Sequence, residues 1–136
     1  MIKRLAIASI VVLIFSAGAS IASAQRWVNL GTKEVKARTE QDTWHISSLR
    51  GQFRRIRLTV ARAPIRIERL QIRYVSGQDE DVEVRQLIRA GGSTRSIDLD
   101  DRTRFIREVN VWYETASMNP RRTARVTLWG MSMSTL

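Results

Sequence analysis

Residues 53–74 read FRRIRLTVARAPIRIERLQIRY, with apolar side chains at every second position in two consecutive runs separated by Pro64. A helix repeats every 3.6 residues and a strand every two, so this stretch commits the chain to sheet. Ile56, Leu58 and Val60 share one face, while Arg55, Arg57 and Thr59 share the other. After Ala63-Pro64 the alternation resumes at Ile65 and Ile67, then changes parity to Leu70, Ile72 and Tyr74. That change predicts a bulge or kink between Ile67 and Leu70.

The remaining chain repeats the pattern in shorter pieces. Residues 26–30 (RWVNL) predict a first strand that Gly31-Thr32 turns, and residues 34–42 are polar with little period. Trp44 and Ile46 alternate with Thr43, His45 and Ser47 in a second strand, its tryptophan directed inward. Val75-Ser76-Gly77-Gln78 ends the paired runs of residues 53–74, the acids Asp79, Glu80 and Asp81 begin the next segment, and a turn is expected there. Val82 and Val84 then open a strand that Gly91-Gly92 closes, since the glycine pair accepts positive φ. Ile97 and Leu99 predict a short strand. Phe105, Val109, Val111 and Tyr113 share a parity with Ile106 on the other side, so that strand starts with an irregularity. Asn119-Pro120 marks a loop, and Ala124, Val126 and Leu128 form the last strand opposite Arg125, Thr127 and Trp129.

About eight short strands without a helical stripe, joined by connections too short for parallel crossovers, define an all-β, antiparallel, jelly-roll-like β-sandwich. One domain is expected over residues 25–130, with residues 131–136 as a C-terminal tail.

The N-terminus follows another logic. Lys3 and Arg4 precede an apolar run to Phe15, and small residues lead to Ala22-Ser23-Ala24. This is the pattern of a secretory signal peptide, forming a signal helix over residues 1–24 with cleavage after Ala24. The rival reading keeps the segment as an uncleaved anchor, because no charge occurs between Arg4 and Arg26. With cleavage, no transmembrane segment is left and the product is periplasmic or secreted. The chain has no cysteine, which excludes both a lipid-modified cysteine and disulfides.

Removing Lys3 and Arg4 lowers the formal charge from +10 to +8. Nearly all of the positive charge is arginine, which suits bidentate pairing with phosphate or carboxylate. Arg55 and Arg57 oppose Ile56 and Leu58, and Arg69 and Arg73 oppose Leu70 and Ile72, so all four are expected on outer faces. If the two strands are neighbours, these four make an anion-binding strip for an anionic lipid headgroup, an acidic polymer or an acidic protein. No base-reading motif points to nucleic acid. Trp112 and Trp129 oppose the apolar parity of their strands. On adjacent strands they would form an aromatic patch beside Arg107 and Arg125, the basis for a carbohydrate-binding alternative.

Catalytic and metal chemistry find less support. His45 is the only histidine, so a histidine-dependent hydrolase would have to use it with Ser47 or Ser48, and no Gly-x-Ser-x-Gly elbow accompanies them. The acids at 79–83 and at Asp98, Asp100 and Asp101 lack the spacing of a calcium loop. They are expected to offset arginines across strands. No metal, cofactor or catalytic residue is assigned.

The segments 53–60, Ala63-Pro64-Ile65, Ile72-Arg73-Tyr74, Gly91-Gly92, Ile97-Asp98-Leu99, 109–113 and Leu128-Trp129-Gly130 occur in an order that resembles small exported, periplasmic bacterial β-rich domains of unknown function. The resemblance implies the fold and export, and brings no catalytic residues with it. The expectation is therefore an exported, non-catalytic module that binds an anionic envelope component or a protein partner through outer-face arginines.

Overall fold

The computed structural model describes residues 26–102, 104–115 and 118–132. The predicted signal helix, its cleavage site and residues 133–136 lie outside them. Eight strands run in chain order: β1 (Trp27–Val35), β2 (Gln41–His45), β3 (Phe53–Ala61), β4 (Ile65–Tyr74), β5 (Asp79–Ile88), β6 (Ile97–Asp98), β7 (Ile106–Glu114) and β8 (Ala124–Ser132). They form two four-stranded antiparallel sheets, ordered β1-β8-β3-β6 and β2-β7-β4-β5. This is the strand order of a jelly roll. β4 and β5 form the innermost hairpin, and β3 with β6, β2 with β7 and β1 with β8 nest around it.

The alternation of residues 53–74 produces this packing directly. Ile56, Leu58 and Val60 of β3 lie in the same buried core as Ile65, Ile67, Leu70, Ile72 and Tyr74 of β4. The expected bulge is present, because the register shifts between Ile67 and Arg69 against both neighbours of β4. Between the row of Ile67 and the row of Arg69, β7 advances from Tyr113 to Trp112 while β5 runs from Gln86 to Glu83. The sheet therefore fans there: β7 takes one step, β4 two and β5 three. Arg85 takes up part of the excess in the left-handed region, at φ 47°.

Four details differ from the sequence expectation. β1 does not turn at Gly31 but continues to Val35, with a register shift between Asn29 and Gly31. The reason is a close approach, since the Gly31 carbonyl accepts the Trp44 indole N–H at 2.9 Å. Gly31 also sits at φ 127°, and a Cβ there would lie 3.2 Å from Trp44 Cδ1. Second, the turn is confined to residues 75–78, and Asp79, Glu80 and Asp81 open β5, where they oppose Arg73, Ile72 and Gln71. Third, Ile106 rather than Phe105 joins the inward residues of β7, because the register slips by one residue between Arg73 and Tyr74. Fourth, β8 continues past residue 130 to Ser132, with Met131 buried.

Candidate anion-binding site

The four arginines singled out in the sequence do not form one strip. β3 carries Arg55 and Arg57 on one sheet, whereas β4 carries Arg69 and Arg73 on the other. Arg55 Nε pairs with Asp98 at 2.7 Å. Arg57 lies over the Trp27 ring, its Cζ 4.2 Å from the centroid. Arg69 stacks on Trp112 at 3.6 Å and lies 3.9 Å from Asp81. Arg73 bridges Asp79 at 3.4 Å and Glu108 at 3.0 Å. Its guanidinium holds the Glu108 carboxyl below the usual carboxylate range. Cross-strand acids thus neutralise much of this charge, as register neighbours on one face do.

Trp112 and Trp129 are separated in the same way, on β7 and β8 of different sheets. Arg69 covers one ring, and the other indole donates to Thr59 Oγ1 at 2.8 Å. His45 is 79% exposed on β2 and lies 3.6 Å from Glu108. Ser47 caps a single 3-10 turn by accepting from the Leu49 N–H at 3.2 Å. Asp98 lies on the sheet that does not contain His45, where it pairs with Arg55 of the neighbouring strand. Geometry does not assemble these three.

A different set of cations does converge. Successive strands reverse direction, so the first, third, fifth and seventh connections begin at one end of the sandwich. Cross-strand pairs confirm the arrangement: Val35 opposes Ala124, Ala61 opposes Arg125, Ile65 opposes Ile88 and Arg66 opposes Glu114. Lys36 and Arg38 lie in the first connection, Arg62 in the third, Arg89 in the fifth, and Arg121 and Arg122 in the seventh. Glu40 is the one acid among the described residues of these segments. None of the six cations makes an ion pair with a described residue.

The local backbone is specific as well. Arg62 stands at φ 71°, and the Ala63 N–H donates to the Ala61 carbonyl at 2.9 Å, closing a three-residue turn. A non-glycine residue there carries strain of about 1–3 kcal/mol. Beside it, the Gly91 N–H donates to Val60 O and the Val60 N–H to Gly92 O, at 2.8 and 2.9 Å. The fifth connection is thereby tied to the base of the Arg62 turn. In the seventh, Asn119 accepts the Arg121 N–H at its side chain and the Arg122 N–H at its carbonyl, at 2.9 and 3.0 Å.

A cleft of about 210 Å³ opens among these connections. Ala63, Pro64, Ile65, Leu87 and Met118 supply its apolar lining, with Leu87 60% exposed. Arg66, Glu114, Asn119 and Arg122 complete it. Arg66 Nε is engaged by Glu68 at 2.7 Å and Glu114 at 3.2 Å, which leaves Arg122 as the cleft's cation without a described acidic partner.

The opposite end has another character. The Tyr74 hydroxyl donates to Glu80 at 2.5 Å, and the Asp100 N–H donates to the same oxygen at 3.2 Å. Desolvation raises the Glu80 carboxyl above its ordinary value. Burial also pushes the Tyr74 hydroxyl far upward. Ser76 donates to Asp101 at 2.5 Å, so these acids serve to close the end of the sandwich.

The structure thus defines an eight-stranded jelly-roll domain with a cationic loop end. The chain belongs to a family described as a domain of unknown function, DUF2541, whose model matches residues 7–130. No curated protein matches. A solved structure described as "Structural and functional characterization of Pseudomonas aeruginosa AlgX" aligns at 15% identity and a TM-score of 0.48. The alignment covers 78% of this chain and 26% of that one.

Proposed function

We propose that the protein is an exported, non-catalytic β-sandwich module that binds an anionic lipid surface of the cell envelope through its loop end. One observation carries the reading: Arg55, Arg57, Arg69 and Arg73 of the sheet faces are matched by acids or stacked on tryptophans, whereas Lys36, Arg38, Arg62, Arg89, Arg121 and Arg122 share one end without an ion pair to a described residue. Concentrated like charge costs the folded state self-repulsion, which an anionic partner relieves. Arginine forks also match phosphate oxygens. Export rests on the residues 1–24 pattern.

The test is co-sedimentation of the full chain with phosphatidylglycerol-containing and with neutral phosphatidylcholine vesicles, at low and physiological salt. Each basic residue near an anionic membrane contributes about 1 kcal/mol. Replacing Arg62, Arg121 and Arg122 by glutamine should therefore weaken binding by roughly a hundredfold. Equal binding to both vesicle types, or binding abolished by physiological salt, removes the reading, because nonspecific charge attraction is screened beyond about 8 Å there.

A further inference from the structure

The loop end contains more apolar surface than a purely ionic site requires. Leu87 faces outward beside Arg66 in register and is 60% exposed. With Pro64 and Met118 it lines a cleft that also holds Arg122. An apolar cavity of about 150 Å³ accommodates benzene, so about 210 Å³ has room for a short hydrocarbon segment. The cleft is bordered on its third-connection side by the Arg62 turn, held at φ 71°.

We infer that this cleft takes the apolar part of an amphiphilic anion, an alkyl or acyl chain bearing a phosphate, with the charge held at Arg122. The inference rests on the loop end being an anion-binding surface and adds a ligand class to it. Charge complementarity selects this occupant. A neutral hydrocarbon would leave Arg122 unmatched, and inorganic phosphate would leave the exposed Leu87 side chain in water. Arg66 is committed to Glu68 and Glu114, so the phosphate meets Arg122 while the chain lies on Leu87, Pro64 and Met118. Each methylene transferred from water multiplies affinity by about four.

The experiment is calorimetric titration of the full chain with hexyl phosphate and with inorganic phosphate, below the concentration at which the alkyl phosphate self-associates. Hexyl phosphate is expected to bind more than tenfold tighter. Leu87→Ser and, separately, Met118→Gln should remove most of that preference, whereas Arg122→Gln should weaken both ligands. Equal affinities for the two ligands overturn the inference, as does a preference that survives both Leu87→Ser and Met118→Gln. Phosphatidylglycerol vesicles titrated in parallel separate the two levels. Retained vesicle binding without a hexyl phosphate preference rejects the cleft and keeps the surface, and loss of both rejects the loop end altogether.

Discussion

Gly130 offers the sharpest test of the packing. It lies in β8 between Val28 of β1 and Ile56 of β3. A Cβ built on it would fall 2.5 Å from Phe53 Cδ1, 2.9 Å from Phe53 Cε1 and 2.9 Å from Leu30 Cδ1. Carbon pairs are comfortable at about 3.5–4.0 Å, so the ring would have to retreat by roughly 1 Å. Phe53 is fully buried and has no solvent to retreat into. Overpacking of this kind costs about 1–3 kcal/mol. Alanine in place of a strand glycine returns about 0.5–1 kcal/mol of backbone entropy. Steric cost wins, and Gly130→Ala should lose about 1 kcal/mol in urea unfolding, or about 4–8 °C in Tm for a domain of this size. Phe53→Leu in the same chain should recover part of the loss, giving a coupling of at least 0.5 kcal/mol in a double-mutant cycle. Gly130→Ala with a loss below about 0.5 kcal/mol would refute the reasoning, since the close approach of β8 to Phe53 would then carry no weight.

Two carboxylates should respond to pH in opposite directions. Glu108 is held low by Arg73, so its stabilisation is present above the ordinary carboxylate pKa and is lost as pH falls through the folded value. Arg73→Gln should accordingly lower Tm at pH 7, with the loss shrinking as pH falls through the folded value of Glu108. Glu80 is raised by desolvation, so its contribution is favourable below the ordinary value and is lost as pH rises through the folded one. Glu80→Gln should raise Tm at pH 7, with the gain vanishing near pH 4; a gain of equal size at both pH values would rule out desolvation as its cause. At the loop end, Arg62→Gly relieves a positive φ while adding unfolded-chain entropy. Its Tm should stay level or rise, whereas affinity for anionic vesicles falls, and a marked loss of stability would contradict the strained turn.

Much of the fold was legible because the informative residues were apolar and alternating. The parity change from Ile67 to Leu70 located a bulge that the register confirms. Trp44 and Ile46 read as inward because their strand had enough apolar contrast, and both are buried. Gly31 was misleading, since it reads as a turn when only its immediate neighbours are known. Its purpose is the carbonyl that receives Trp44 from the other sheet, a contact thirteen residues away. Met131 likewise looked like tail because nothing local marks the pairing that extends β8 beside Trp27 and Arg55.

The arginines illustrate the limit more clearly. Alternation correctly directed Arg55, Arg57, Arg69 and Arg73 away from the core, but it does not say which strands share a sheet. The chain passes from one sheet to the other between β3 and β4, so the two pairs part company. The loop-end cations attract no attention in the sequence, where they stand as isolated residues of separate connections. Their convergence follows only once the strands are seen to reverse in succession, which places alternate connections at a common end. That signal was available in the expected antiparallel order. The cleft was not, because its lining comes from the third and seventh connections and from β4, β5 and β7, which meet only in the folded sandwich.

The claim that matters most concerns place: anion binding belongs to the loop end and not to the sheet faces. Its most direct test compares Arg62→Glu/Arg121→Glu/Arg122→Glu with Arg55→Glu/Arg57→Glu in full-length chains, by co-sedimentation with phosphatidylglycerol vesicles at physiological salt. The N-terminal segment is common to both, so any difference reports on the two surfaces. The loop-end variant should lose binding and the sheet-face variant should retain it. Equal loss in the two variants, or loss confined to the sheet-face variant, would contradict that claim.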